Sequence, residues 1–420
     1  MQPLRGITVV SLEQAVAAPY ASRQLADLGA RVIKVERPGT GDFARAYDTR
    51  ARGLSSHFVW VNRNKESLTL DIKDPRGMDV LRRLIAGADV FLQNLAPGAA
   101  ARAGLGADEL RERHPALIVC DISGYGSPGP YEGRKAYDLM VQSEAGLLSV
   151  TGTPEEMAKV GVSVSDIAAG MYAYSSVLAA LLERGRTGRG THLDVSMLEA
   201  TVEWMGFPLY YALDGAEPPP RAGAAHATIH PYGPYTAGDG SVVMMAIQNE
   251  REWQAFCARF LNRPDLAGHP HYATNADRNA HREELGALIA ARFAELTGAE
   301  ALELLGAVPV ANARVSTLAE VWEHPQLAAR GAPVRGAHAG RPGAGVRAAG
   351  SDGCGAPHGG GPGAGRAHPR DPRRAGPVRG RDRRAGRGGG GVSAPARRGQ
   401  GRSRPSGSRN SRRFPTGSAQ

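Results

Sequence analysis

The sequence predicts an α/β fold around a parallel sheet, because β-branched runs alternate with segments of helical spacing over the first 130 residues. Strands that alternate with helices favour parallel pairing through right-handed crossovers. After a proline-rich stretch at 218–220, the region 240–330 mixes a strand with several helices. We therefore expect a large domain over 1–215, a linker over 216–239 and a smaller α+β domain over 240–330.

The N-terminal alternation can be followed element by element. A β-branched run over 7–12 predicts the first strand, and helical spacing over 18–29 ends at Gly29. Further elements are expected as strands over 30–36, 67–72, 88–94, 116–122 and 191–197, and as helices over 74–84, 107–113, 166–184 and 198–213. In the smaller domain we expect a strand over 241–247 and helices near 250–261, 276–296, 299–306 and 316–329.

Residues 331–420 differ from the rest of the chain in composition. They contain 24 Gly, 19 Arg, 14 Ala and 10 Pro in 90 positions, and no Leu, Ile, Met, Tyr or Trp. Such a segment cannot bury enough apolar surface to offset its chain entropy, so this Arg/Gly-rich tail is predicted to be disordered. The abrupt switch to residues of GC-rich codons is also what a frameshift would produce, and an orderly pattern in another reading frame would support that alternative.

The charge of the chain is concentrated in this tail. The formal net charge is +10, but the tail carries 19 Arg against 3 Asp, a net +16, which leaves −6 over 1–330. A mildly acidic body with a basic tail is not a basic nucleic-acid-binding domain. The three cysteines are too few and too dispersed for a disulfide framework or a metal cluster. With no secretory leader and no apolar run of about 18 residues expected, we predict a cytoplasmic enzyme without a metal.

Asp166 is the strongest local candidate for chemistry. It follows a β-like segment and opens the apolar helix over 166–184, within the sequence VGVSVSDIAAG. A helix N-terminus favours the carboxylate form, and an ionised carboxylate in a cleft can attack a carbonyl to form an acyl-enzyme. An aspartate at a helix start is more commonly only a cap for backbone N–H groups, and that alternative stays open.

Two glycine-containing loops follow predicted strands. They are RPGTGD at 37–42 and LAPGAAAR at 95–102. Glycine allows backbone to approach a ligand closely, and nearby helix N-termini present N–H groups to phosphate. Arg37, Arg102 and Lys135 are candidates to contact phosphate, with a solvated surface charge as the alternative for each. The G-x-G-x-x-G fingerprint of dinucleotide-binding domains is not present here.

Four blocks together resemble class III CoA-transferases. They are 9–45, 62–77, 88–105 and 165–197, in that order and at the family's spacing, and the resemblance covers about residues 5–330. It implies a Rossmann-like large domain and a ring-like chain that interlocks with a second copy as a homodimer. It also implies that coenzyme A and acyl-CoA are substrates, with no permanently bound cofactor.

The resemblance assigns roles residue by residue. It makes Asp166 the catalytic nucleophile and implies coenzyme A contacts at Ala15, Val16, Ala17, Arg37, Leu70, Asn94, Leu95, Arg102, Lys135 and Tyr137. Asp138 stands where formyl-CoA transferase has a glutamate near the acyl site. Among aromatic and histidine residues that are candidates to shape the acyl pocket, His230 before Pro231 is the one singled out for the substrate.

The family mechanism proceeds through an aspartyl anhydride and an aspartyl-CoA thioester. Two departures bear on the substrate: Val16 replaces a glutamine near the acyl site of formyl-CoA transferase, and AHATIHPYGPY at 225–235 stands in place of its glycine-rich flap. These changes argue against formate and oxalate. The family resemblance itself suggests succinyl-CoA with a small dicarboxylate, such as citramalate, mesaconate or itaconate.

Three alternatives remain beside this interpretation. A 2-methylacyl-CoA racemase shares the fold, but it uses a histidine before its aspartate where this chain has Tyr137, and an ordinary tyrosine is a poor base at neutral pH. An inactive family member would explain the unusual C-terminal segment. RNA binding through the basic tail is the third, although Phe414 is the tail's one aromatic residue for stacking.

Overall fold

The computed structural model of this chain describes residues 2–331. The 331–420 tail, which the disorder prediction and the frameshift alternative concern, therefore lies outside the described residues except for Gly331. The third cysteine, Cys354, also lies outside them. Cys120 and Cys257 are buried free thiols.

A six-stranded, fully parallel sheet forms the centre of the large domain. Its strand order is β3-β2-β1-β4-β5-β6, as in doubly wound folds. Strands β2 and β3 are added on one side of β1, and strands β4 to β6 are added on its other side. This sheet confirms the α/β prediction. The strands are β1 Thr8–Leu12, β2 Arg31–Glu36, β3 Glu66–Thr69, β4 Val90–Gln93, β5 Ile118–Ser123 and β6 His192–Ser196.

Ten helices belong to the same part of the chain. Asp74 caps α3 by accepting a hydrogen bond from the Arg76 N–H, with Pro75 in the first turn as the sequence predicted. The helices are α1 Ala17–Asp27, α2 Ser56–Asn62, α3 Pro75–Ala86, α4 Ala99–Arg102, α5 Ala107–Arg113, α6 Asp138–Glu144, α7 Leu147–Val150, α8 Val164–Thr187, α9 Met197–Trp204 and α10 Gly206–Tyr211.

Helices cover both faces of the parallel sheet, so the strand interiors are apolar on both sides. One core joins α1, α8 and α9 to the sheet, and the other joins α3, α4 and α5 to its opposite face. Among the described helices, α1 and α8 share the most extensive contact. A Cβ placed on Gly170 would lie 2.7 Å from the Ala17 carbonyl oxygen, so only glycine admits this approach.

Helix α8 is long and apolar enough, by length and composition, to cross a membrane, which corrects the expectation that no segment reaches that length. In this fold its small residues, including Ala169 and Ala173, are buried against α1 and the sheet. Its buried face therefore belongs to the core of the large domain, while Leu182 near its end is exposed.

A second, antiparallel sheet forms the smaller domain, in the order β7-β8-β9. Helices α11 to α14 pack on it around Trp253, Phe256, Phe260 and Phe293. The elements are β7 Tyr232–Thr236, β8 Val242–Ala246, α11 Glu250–Arg259, α12 Asn275–Ala280, α13 Arg282–Ala294, α14 Gly298–Gly306, β9 Ala311–Arg314, α15 Leu318–Trp322 and α16 Pro325–Ala329. The range 216–239, predicted as a linker, thus contains β7, which pairs with β8.

Three helices that were predicted as continuous are broken in the structure. The 198–213 helix is interrupted at Met205, before Gly206 and Pro208, and the 276–296 helix is interrupted at His281. The 316–329 helix is interrupted at His324. Proline disfavours the helical conformation in the residue before it, which explains the break at His324, because Pro325 follows.

We predict that Gly170→Ala lowers the free energy of unfolding by about 1–3 kcal/mol, because the added methyl group would be forced against the α1 backbone. Urea denaturation followed by circular dichroism measures this change. Gly185→Ala is the matched control in the same helix, since its Cβ would meet nothing within 4 Å. The control should raise stability by up to about 1 kcal/mol, and equal effects of the two substitutions would contradict the close-approach account.

Candidate functional site

Asp166 lies in the first turn of α8, where this turn meets the N-terminus of α1. Gly170, one turn further along the same face of α8, is the point at which the Ala17 backbone touches that helix. The backbone N–H of Ala17 lies near enough to the Asp166 carboxylate to lower its pKa. The structure therefore places the N-terminus of α1 beside the candidate nucleophile, in addition to the N-terminus of its own helix.

Burial and then the negative charge of Asp138 raise the pKa of Asp166, and with the opposing effect of the Ala17 backbone N–H the pKa is about 7. Part of the Asp166 surface remains open to solvent, although protein atoms surround it closely. The protonated form is therefore favoured more strongly here than a helix N-terminus alone would allow. Removal of water and a like charge outweigh the helix N-terminus here.

Asp138 begins α6 and reaches across to the start of α8. Its Oδ1 accepts hydrogen bonds from the Ser165 N–H at 2.8 Å and the Asp166 N–H at 3.3 Å. Its Oδ2 accepts from Gln142 Nε2 at 2.6 Å, and Gln142 is completely buried. Asp138 thus caps the α8 N-terminus from another helix and fixes the turn that carries Asp166.

The loop after β1 carries three of the residues implied to contact coenzyme A. Val16 and Ala17 are buried, and Ala15 adopts a left-handed backbone with φ of 61°. Asn94, at the end of β4, pairs with the Gln14 backbone in both directions at 2.9 Å. These contacts join the β1 and β4 loops at the point where the strand order reverses, the position at which open α/β sheets bind ligands.

The remaining coenzyme A candidates lie along the same edge or beside it. Arg37 follows β2, is exposed and donates to Gln14 Oε1 at 3.1 Å. Leu70 and Leu95 follow β3 and β4 and are partly buried, while Arg102 ends α4 and is exposed. Lys135 and Tyr137 lie on the exposed segment before α6. The fold therefore brings the residues that follow β1 to β4 together at one edge of the sheet.

His230 lies in a different environment. It precedes a cis Pro231 and is buried in the smaller domain, where its N–H donates to Asn275 and its carbonyl accepts from Arg278. Burial, together with the charges of Arg282 and Arg278, lowers the pKa of His230 to about 4. None of the contacts described for His230 reaches Asp166, so its substrate role stays a prediction from the sequence.

Tyr47 is a site residue that the sequence interpretation missed. Burial raises the pKa of its phenol, and the charges of Asp42 and Asp166 raise it further, so the phenol lies within electrostatic range of the candidate nucleophile. Its ring packs edge-on against His57 at 5.4 Å. An aromatic residue ten positions after Arg37, in a loop that leaves the sheet edge, is the signal that could have identified it.

A buried cluster of charges beneath the β1 loop was also missed. Lys34 Nζ lies 2.6 Å from Asp42 Oδ2 and 3.8 Å from Glu13 Oε1, and Lys65 Nζ lies 2.6 Å from Glu13 Oε1. All four side chains are at most 2% exposed. Two amines and two carboxylates face each other in this cluster, as buried ionisable groups require, and burial lowers the pKa of Lys65 to about 7. Charged residues inside β-branched surroundings, such as Lys34 in ARVIKVE, are the sequence signal for this cluster.

A cleft of about 790 Å³ opens at the carboxyl ends of β4, β5 and β6, next to Leu95. Its walls carry the acidic residues Asp108, Glu109, Asp121, Glu132 and Asp194, and Asp166 is not among them. The acidic residues on these walls disfavour the phosphates of coenzyme A. Within residues 2–331, no group of three His, Cys, Asp or Glu side chains is arranged to hold a metal ion.

Comparison with known proteins gives consistent results for family and fold. A family model described as "CoA-transferase family III" matches residues 4–382. A mouse succinyl-CoA:glutarate CoA-transferase is 37% identical over 334 residues, covering 78% of this chain and 75% of that protein. A succinyl-CoA:mesaconate CoA-transferase of Haloarcula marismortui is 35% identical over 78% of this chain and 84% of its own length. A crystal structure of a CAIB/BAIF family protein from Brucella suis is 33% identical with a TM-score of 0.73, covering 83% of this chain and 92% of that one.

We predict that Asp166→Asn raises the melting temperature, and that the gain grows as the pH rises from about 4 to about 7. In the unfolded chain the carboxyl ionises near its ordinary pKa of 3.8, whereas in the folded chain it stays protonated up to about pH 7. The wild-type protein therefore loses stability over this window, and the uncharged amide does not. Thermal melts across the window measure the difference.

Asp108→Asn is the matched control for that comparison, because Asp108 is an exposed aspartate in the first turn of α5. It should show no comparable pH-dependent gain. A melting temperature of Asp166→Asn that stayed level with wild type at neutral pH would contradict the desolvated site.

Proposed function

The chain belongs to CoA-transferase family III and transfers coenzyme A between an acyl-CoA thioester and a dicarboxylic acid, and we propose that Asp166 is the nucleophile of this transfer. The observation that carries the proposal is the seating of the Asp166 carboxylate against the Ala17 amide at the ligand-facing edge of the sheet. A hydrogen-bond donor in that position stabilises negative charge that develops on an acylated carboxylate oxygen.

The proposed first half of the reaction involves no water molecule and needs no resident cofactor. An Asp166 oxygen attacks the donor thioester carbonyl, a tetrahedral oxyanion forms, and the coenzyme A thiolate leaves to give a mixed anhydride. The thiolate then attacks the Asp166 acyl carbon, which releases the donor acid and leaves an aspartyl-CoA thioester. Because the thiolate stays bound nearby, its return is effectively intramolecular.

The second half reverses these bonds with a different acid. The acceptor carboxylate attacks the aspartyl-CoA thioester and expels the thiolate, which then attacks the acceptor carbonyl of the new anhydride. A new acyl-CoA leaves and the Asp166 carboxylate is restored. Since attack requires the ionised form and burial raises the pKa of Asp166 to about 7, the rate should rise with pH through neutrality.

We propose succinyl-CoA as donor and glutarate or a similar four- or five-carbon dicarboxylate as acceptor. The relatives support this choice: they are named succinyl-CoA:glutarate and succinyl-CoA:mesaconate CoA-transferases. Val16 in place of a glutamine supports it as well, because an apolar side chain at that position suits the methylene chain of a longer diacid better than it suits formate. The same relatives favour coenzyme A transfer over racemisation.

We also propose that two copies assemble as the interlocked homodimer that the family resemblance implies. The support is a row of large apolar side chains that the described part of one chain leaves open on α9 and α10. An exposed apolar surface of this extent is typical of a protein interface. The row consists of Trp204, Phe207, Leu209, Tyr210, Tyr211 and Leu213. A cytoplasmic location, the lack of a resident cofactor and the lack of nucleic-acid or membrane partners stay predictions.

We predict that wild-type protein incubated with succinyl-CoA gains a covalent coenzyme A adduct on the peptide that contains Asp166. Asp166→Asn should form no adduct and should lose turnover by at least about 10³-fold, because an amide is not a nucleophile. Peptide mass spectrometry measures the adduct, and calorimetry should show that the variant still binds coenzyme A.

Asp108→Asn serves again as the helix-start control and should keep both the adduct and turnover. An adduct on another residue, or substantial turnover by Asp166→Asn, would overturn the nucleophile assignment.

We predict that the double substitution Phe207→Glu and Tyr210→Glu converts the protein to monomers, because two charges would have to be buried in the apolar contact. Light scattering coupled to size exclusion measures the mass. Leu318→Glu is the control, since Leu318 is 84% exposed on α15 in the smaller domain, and it should remain dimeric. A monomeric wild-type protein at micromolar concentration would contradict the assembly.

A further inference from the structure

The RPGTGD loop at 37–42 folds back beneath the β1–α1 loop. Gly39 and Gly41 adopt positive φ angles of 76° and 61°, which turn the chain sharply after Arg37. The Asp42 N–H then donates to Glu36 Oε2 at 2.9 Å, which closes the loop. The Asp42 side chain ends up with no exposed surface, although its loop leaves the sheet at a solvent-facing edge.

Both carboxylate oxygens of Asp42 are occupied by protein partners. Oδ1 accepts from the Ala15 N–H at 3.1 Å and from the Ala44 N–H at 2.9 Å. Oδ2 accepts from Lys34 Nζ at 2.6 Å. Lys34 is itself fixed by Asn62 Oδ1 at 2.9 Å, inside the balanced cluster of buried charges. A buried carboxylate held from both sides is a rigid anchor for the Ala15 amide.

Ala15 needs such an anchor because of its backbone conformation. Its φ of 61° lies in the left-handed region, which is unfavourable for a residue with a Cβ. Within residues 2–331, Ala15 is the one positive-φ residue of the β1–α1 loop. The hydrogen bond from its N–H to Asp42 opposes relaxation of this turn at Ala15 itself, while Asn94 holds the preceding Gln14 backbone.

The orientation of Ala15 determines where the next amides point. Two residues later, Ala17 begins α1, and its N–H is near enough to the Asp166 carboxylate to lower the pKa of that group. The Ala17 carbonyl oxygen packs against Gly170, one turn after the nucleophile, so closely that a Cβ on Gly170 would lie only 2.7 Å from it. The α1 backbone at Ala17 therefore contacts α8 directly. A small rotation at Ala15 would move the Ala17 amide off Asp166.

We propose that Asp42 is a positioning residue for the reaction: through its hydrogen bond to Ala15 it orients the Ala17 amide onto Asp166, with Lys34 as its buried counter-charge. Asp42 does not touch the substrate in this assignment. The inference rests on the proposed role of Asp166 as nucleophile, and it adds a chain of contacts from β2 through the RPGTGD loop to the reacting carboxylate.

The test is the pH dependence of kcat/KM for succinyl-CoA, with glutarate as acceptor, in full-length variants. Asp42→Ala removes the anchor, so kcat should fall by about 10- to 100-fold, as expected for a misplaced donor. The acidic limb of the profile should also move to higher pH, because the Ala17 hydrogen bond holds the pKa of Asp166 down. Asp138 and Tyr47, which also face Asp166, are unchanged in this variant.

Asp42→Asn is the conservative partner variant, because its amide oxygen can still accept from Ala15. It should retain the wild-type midpoint of the acidic limb even where the lost charge lowers stability. Asp74→Ala is the matched control for loss of an aspartate cap, since Asp74 caps α3 away from the site. It should leave both kcat and the midpoint at wild-type values.

Ala15→Val tests the same chain of contacts without touching the buried charges, and it decides the matter if Asp42→Ala does not fold. A β-branched residue strongly disfavours the left-handed region, so this variant should reproduce the upward shift of the midpoint. A folded Asp42→Ala or Ala15→Val with the wild-type midpoint would overturn the proposal. So would an Asp42→Asn shift as large as that of Asp42→Ala.

Failure of this inference is distinguishable from failure of the proposed function. Loss of the coenzyme A adduct from Asp166 in wild-type protein would remove the nucleophile itself. An intact adduct together with unshifted profiles would reject only the role of Asp42.

Discussion

The close packing of α1 on α8 is the constraint on which the site depends. Gly170 permits the Ala17 backbone to touch α8 one turn after Asp166, and no residue with a Cβ fits there. The two helices come from distant parts of the chain, one at the start of the sheet and one after its fifth strand. Their contact brings a backbone amide to a carboxylate and at the same time removes water from both.

That arrangement gives Asp166 a pKa that suits its chemistry. Burial and the neighbouring charge of Asp138 raise the pKa of Asp166 to about 7, while the Ala17 amide opposes the rise. A poorly hydrated carboxylate attacks a thioester more readily than a fully solvated one, and the same amide then faces the oxygen on which charge develops. Asp138 contributes twice, since its charge acts on Asp166 while its Oδ1 caps the turn that carries it.

Much of this fold and part of the site could be predicted from the sequence. The alternation of β-branched runs with helices predicted the parallel sheet, and a carboxylate opening the most apolar helix pointed to Asp166. Local patterns failed where distant residues decide the outcome. The pKa of Asp166 depends on Asp138, which lies 28 positions earlier, and the burial of Lys34 depends on Asp42 and Glu13. Strand β9, with the sequence ANAR, has weak strand propensity of its own and is defined by its pairing with β8.

The central claim is that the Asp166 carboxylate exchanges bonds with both acids during each transfer. The most direct measurement is turnover with glutarate carrying oxygen-18 in its carboxylates, followed by mass analysis of the peptide that contains Asp166. The account predicts that this peptide acquires the label, because the oxygen that bridges the second anhydride stays on Asp166 when glutaryl-CoA departs. An unlabelled Asp166 peptide after many turnovers, with labelled oxygen found only in succinate, would contradict it.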